Sequence, residues 1–135
     1  MKVTKLFVMN ESPSPTPTEL AILRVLWERG HGTVRQLHNA LKDERRTGYS
    51  TTLKMMQIMV EKGLLLKDES IRPQVFRAAI AKERTQVRLL DELIERAFGG
   101  SASNLVLRAA AAKRISSTEL ADIRKLIDRT KMEKR

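Results

Sequence analysis

The chain has 135 residues, 41% of them apolar, and 26 basic against 16 acidic side chains give it a net charge of +10. That length accommodates one compact domain or one domain with a small appendage, and an aromatic content of 4% suits aliphatic helix packing better than a β-sandwich. The absence of cysteine excludes disulfides, thiolate metal sites and cysteine nucleophiles together, and it fits a reducing cytoplasm.

Residues 1–17 predict a flexible arm. Lys2 and Lys5 precede only a short apolar stretch, Leu6 to Met9, below the ~7–15 residues of a secretory core. No apolar run approaches the ~20 residues that span a bilayer. Pro13, Pro15 and Pro17 alternate, and each biases its predecessor away from helix. A first helix is expected from Thr18 as N-cap, with Glu19 beside the positive helix end and Leu20, Leu23, Leu26 and Trp27 at helical spacing. At that spacing Trp27 reads as a core anchor. Gly30 and Gly32 end the helix. A second helix opens at Thr33 and buries Val34, Leu37 and Leu41, and a polar break follows from Asp43 to Gly48.

The third helix starts near Ser50 and runs to about Lys62, with Gly63 in the C′ position. Leu64 to Lys67 predicts a short strand, Asp68 to Pro73 a turn, and Gln74 to Ala78 a second strand with Val75 apolar. Three helices followed by a β-hairpin is the winged helix-turn-helix order. From Ala81 the chain becomes helical again. One apolar stripe holds Leu90, Leu93, Ile94 and Phe98 and ends at Gly99-Gly100; a second, capped by Ser101 or Ser103, holds Leu105 and Val106. Ser116 and Glu119 have capping-box spacing, and the last helix carries Ile123, Leu126 and Ile127 before the basic tail from Lys131 to Arg135. The fold class is therefore mainly α with a small β-hairpin wing. Its expected domains are an arm at 1–17, a winged helix at 18–80 and a helical, dimer-forming segment at 81–135.

A surplus of positive charge favours a polyanionic partner, nucleic acid or an anionic membrane surface. It divides equally between residues 1–80 and 81–135, so the pattern of helix three has to locate the site. Placed at about 100° per residue, Thr52, Met55, Met56, Met59 and Val60 share one face with Leu53 at its margin. Ser50, Thr51, Lys54, Gln57, Ile58, Glu61 and Lys62 share the other. Two hydroxyls, a lysine and an amide can address base edges and phosphates, and the major groove, about 12 Å wide, admits such a helix. Ser50, Thr51, Lys54 and Gln57 are thus the candidate base-contacting residues. Arg35 and Arg72 are the candidate phosphate contacts, being long and always charged. Catalysis finds little support: His31 and His38 lack a supporting acid pattern, and no phosphate-cradling loop, carboxylate pair or nucleophile elbow appears. No enzyme activity, metal or cofactor is expected, and both histidines read as solvent-facing.

Over residues 18–130 the chain resembles the penicillinase-repressor family of bacterial regulators, the BlaI/MecI/CopY group. The matching residues are Thr18-Glu19-Leu20 with Val25-Leu26-Trp27, Thr33 to Leu37, Tyr49-Ser50-Thr51-Thr52, Lys62-Gly63-Leu64, Phe98 to Ser101, Asn104-Leu105-Val106 and Glu119-Leu120 to Leu126. The resemblance implies a winged-helix DNA-binding domain, a helical dimerisation domain and repression by operator occupancy. Its expected partners are a palindromic DNA operator, a second copy of the chain, and a membrane metalloprotease sensor where release is proteolytic. Three departures stand out. Ile58-Met59 replaces the family's Arg-Leu pair and Lys54 a common threonine, so base preference is expected to differ from the family's TACA/TGTA dyad. Arg108-Ala109 stands where β-lactam-responsive members have a scissile Asn-Phe bond, which argues against cleavage there. The copper-responsive Cys-x-Cys motif is absent. The competing readings are a winged-helix module that binds an acidic protein partner, and a ligand-sensing regulator.

Overall fold

A computed structural model describes residues 14–133. Helix α1 spans Pro17–Arg29, α2 Val34–Leu41 and α3 Tyr49–Glu61. Strands β1 (Leu65–Asp68) and β2 (Val75–Ala78) follow, and then helices α4 (Lys82–Ala97), α5 (Ala102–Ala111) and α6 (Ser117–Glu133). The chain divides into two compact units at Leu89/Leu90, a point inside α4. Most of the expected arm lies outside the described residues.

The first unit is a winged helix. The strands pair antiparallel with Leu65 opposite Ala78 and Lys67 opposite Phe76. A further bridge joins Gly32 to Phe76: the Gly32 amide donates to the Phe76 carbonyl at 2.9 Å, and the Phe76 amide returns to the Gly32 carbonyl at 2.8 Å. The Gly30–Gly32 segment expected only to end α1 therefore also supplies a third edge to the wing. Ile22, Leu23 and Leu26 from α1 meet Val34, Leu37 and Leu41 from α2, Met56 and Met59 from α3, and Leu64, Leu65 and Phe76 from the wing. At about 1.5–3 kcal/mol for each fully buried large apolar side chain, this cluster is the main source of the unit's stability. Phe76 is the strand residue driven into the core, and Val75, the apolar position marked in the sequence, is only half-buried.

Helix α1 begins one half-turn earlier than expected. Thr16, not Thr18, is the N-cap: its hydroxyl accepts from the Glu19 amide while the Glu19 carboxylate accepts from the Thr16 amide. Pro17 fits at N1 because its missing amide hydrogen would have been unsatisfied there anyway. Thr18 is then free to accept a hydrogen bond from Arg45 Nη1 at 2.9 Å, which ties the α2–α3 turn to the start of α1. At the other end of α3, Gly63 adopts φ +81°, and the Leu64 amide reaches back to the Met59 carbonyl at 2.9 Å. That left-handed cap lets the chain leave the helix directly into β1.

In the second unit Ser101 caps α5 by accepting from the Asn104 amide, and Ser116 and Glu119 cap α6 reciprocally. Lys113 takes the left-handed position after α5 at φ +58°, where the Arg114 amide bonds the Ala109 carbonyl. Neither α5 nor α6 buries a single residue. Leu90, Leu93, Val106, Leu126 and Ile127 are exposed, and Ile94, Phe98, Leu105 and Ile123 only half-buried.

Candidate nucleic-acid interface

Helix α3 separates two chemistries. Thr52, Met56 and Met59 are buried, and Leu53, Met55 and Val60 pack half-buried against the same core. This anchoring fixes the rotation of the helix about its axis, since Met56 and Met59 are wholly enclosed and side chains one turn apart share a face. Ser50, Thr51, Lys54 and Gln57 consequently all stand exposed on the side away from the core, with Ile58 and Glu61 beside them. All four expected base-contacting residues thus lie together on one accessible surface. The helix is capped by Gly48, which offers no side-chain acceptor, so no cap occupies the first-turn amides next to Ser50 and Thr51.

Lys62 does not belong to that surface, although its helical position predicts it. Its Nζ folds back to the Glu19 carboxylate at 2.8 Å. Glu19 is itself buried, and a carboxylate there needs a charged donor. Burial alone would push its carboxyl up, but the Lys62 hydrogen bond and charge, with the Thr16 donors, outweigh it and hold the group below its ordinary value. The pair therefore clamps the end of α3 to the start of α1 and contributes structure rather than a free cation.

Arg35 is exposed in the first turn of α2, and its guanidinium lies 4.4 Å from the centre of the Tyr49 ring. Arg35 is thereby brought beside the first turn of α3. The histidines part company: His31 is exposed, as expected, but His38 is half-buried and packs edge-on against Tyr49, with ring centroids 6.0 Å apart. Tyr49, which meets both Arg35 and His38, is a residue that the helical pattern alone did not single out. Its signal was its place directly before Ser50 and Thr51, where a ring can meet side chains from the preceding helix.

Arg72 stands elsewhere, exposed on the β1–β2 connection. There it is close enough to help depress the Glu69 carboxyl, after the larger effect of the Lys67 hydrogen bond. Arg77 adds a second exposed cation on the outer side of β2. Among the described residues no cluster of histidine and carboxylate side chains could hold a metal ion, and no helix is long and apolar enough to cross a membrane.

The arrangement can place hydroxyl, amide and ammonium groups in a groove, with the Arg35 guanidinium beside them and the Arg72 guanidinium exposed on the wing. A family model described as penicillinase repressor matches residues 15–129, which covers both units. No curated protein matches the chain.

Proposed function

Because this chain belongs to the penicillinase-repressor family, we propose that it is a homodimeric transcriptional repressor that occupies a palindromic DNA operator through α3. The observation that carries this reading is the division of α3: methionines lock one face into the core and leave Ser50, Thr51, Lys54 and Gln57 aligned on the other. Such groups read base edges when a helix lies in the major groove, while Arg35 and Arg72 supply phosphate contacts to either side.

The dimer is supported by the second unit. Five of its expected contact residues, Leu90, Leu93, Val106, Leu126 and Ile127, are about half exposed in the single chain, and covering the rest of each is worth roughly half of the ~1.5–3 kcal/mol of full burial. A two-fold partner would cover them and present two recognition helices about 34 Å apart, one DNA turn, or a multiple of it. Release follows a signal, by proteolysis or otherwise. Arg108-Ala109 lies inside α5, so a protease acting there has to unwind a hydrogen-bonded helix first. This favours a signal other than cleavage at that bond.

Binding of duplex DNA, measured by anisotropy over a range of salt together with sedimentation equilibrium, tests the proposal. A dimer at micromolar concentration, whose affinity falls steeply with salt and depends on both half-sites, is expected. A chain that binds an acidic protein but no duplex DNA overturns it in favour of an interaction module.

A further inference from the structure

We infer that Tyr49 is a positioning residue whose ring holds the Arg35 guanidinium ready for a backbone phosphate at the edge of the α3 surface. This rests on the DNA-binding reading above and assigns a role to a side chain outside the base-contacting set. The first observation is the stack itself. A guanidinium carbon 4.4 Å from a ring centroid is well inside the ~6 Å reach of a cation–π contact. Stacking uses the flat face of the guanidinium and leaves its N–H edge free. Among the described residues no hydrogen bond to Arg35 competes for that edge, which matches two phosphate oxygens at once.

A second observation shows why the ring can serve as a fixed platform. His38 lies three residues after Arg35, hence on the same side of α2, and its ring meets Tyr49 at 80° with centroids 6.0 Å apart. Two side chains of α2 thus grip one ring of α3, one over its face and one against it edge-on. Tyr49 is 39% exposed and lies outside the buried cluster, so the core does not account for it. A free arginine side chain loses much rotamer freedom when it binds. Fixing it beforehand removes part of that loss, and the gain appears as affinity.

The test is a double-mutant cycle in the full chain, read as affinity for duplex DNA across a salt series. Tyr49→Ala should weaken binding about two- to five-fold, the size of an exposed cation–π contact. Arg35→Ala should weaken it further and flatten the salt slope by about 0.9, the share of one phosphate. Adding Tyr49→Ala to Arg35→Ala should then cost nothing more. Tyr49→Phe keeps the ring and should bind as the parent chain does. Without DNA, the Arg35 Nε–H resonance should show an aromatic ring-current shift in the parent and in Tyr49→Phe, and lose it in Tyr49→Leu; that measurement decides the stack even if Tyr49→Ala folds poorly. Additive losses in the cycle overturn the inference, as does a Tyr49→Phe loss equal to that of Tyr49→Ala, which would mark a direct hydroxyl contact. A parent chain that binds no duplex DNA at any salt overturns the DNA reading itself, and this role with it.

Discussion

Replacing Gly32 by alanine should destabilise the first unit by about 1–2 kcal/mol, and the structure supplies the reason. A Cβ at this position would lie 2.6 Å from Leu37 Cδ2 and 3.5 Å from Leu26 Cδ2. Carbon atoms rest at about 3.5–4.0 Å, so the first contact is roughly 1 Å too close. Leu37 is fully buried and Leu26 nearly so, which leaves neither an easy way to retreat. Retreat of the backbone is resisted by the two hydrogen bonds that join Gly32 to Phe76. Overpacking a closed core costs about 1–3 kcal/mol. Against this, Gly32 is not among the positive-φ glycines, so alanine regains about 0.4–1 kcal/mol by restricting the unfolded chain. For a unit of this size each kcal/mol moves Tm by about 4–8 °C, giving an expected fall of about 4–16 °C. Circular-dichroism melting reads the change, and amide exchange at Phe76 should quicken as the bridge to the wing loosens. An unchanged or raised Tm would refute the argument, because it would mean that Leu37 repacks freely.

Three further outcomes are expected. Lys54→Ala should cost about 1–3 kcal/mol in binding a preferred DNA sequence while leaving Tm nearly unchanged, since Lys54 is exposed; equal affinity at moderate salt would show that α3 reads DNA with another face. Arg72→Ala should weaken binding to all sequences alike and flatten the salt slope by about one unit; altered base preference at constant slope would contradict a phosphate role. The Glu19 carboxyl sits below its ordinary value of 4.5 in the folded chain, so its contribution is complete above about that pH and is lost as pH falls through the folded value. Glu19→Gln should therefore lower Tm at neutral pH, by the equivalent of about 1.5–3 kcal/mol for a charged hydrogen bond, and shrink the further fall on acidification below pH 4.5. Parallel acid slopes in variant and parent would remove the clamp from the account.

How far the sequence could be read depended on the range of the interaction behind each feature. Helical periodicity is local, and it located all three helices of the first unit, the face of α3 and the reciprocal cap at Ser116 and Glu119. The start of α1 was legible too, in the Thr16-Pro17-x-Glu19 spacing, but the run of prolines pulled the expected boundary past it. Contacts between distant segments left no such trace. Nothing near Lys62 says that Glu19 lies 2.8 Å away, so its helical position alone assigns it to the outer face. Gly32 looks like a helix stop until Phe76 is seen to bridge it. Phe76 itself outcompetes Val75 for the interior because the pairing register turns it, with Leu65, toward α1 and α2. For the same reason Tyr49 was visible as a residue but not as a platform.

In the proposed repressor the role of the second unit follows from the energetics of DNA binding. The outer face of α3 offers four side chains able to reach bases, and each good base contact discriminates by about 1–3 kcal/mol. Specific regulators bind at about 10⁻⁸–10⁻¹¹ M, which corresponds to about 11–15 kcal/mol. One helix and a few phosphate contacts, opposed by the loss of free tumbling on association, fall short of that figure. In the proposed dimer, pairing through the apolar faces of α4, α5 and α6 would make the second half-site an intramolecular event at high effective concentration, which would close the gap without a new base contact. The same linkage would make operator occupancy sensitive to whatever weakens the proposed pair. On that proposal a signal that never touches α3 would release DNA by acting on Leu93, Val106 or Leu126, and a substitution of charge at any of these should lower operator affinity while binding to a single half-site stays unchanged.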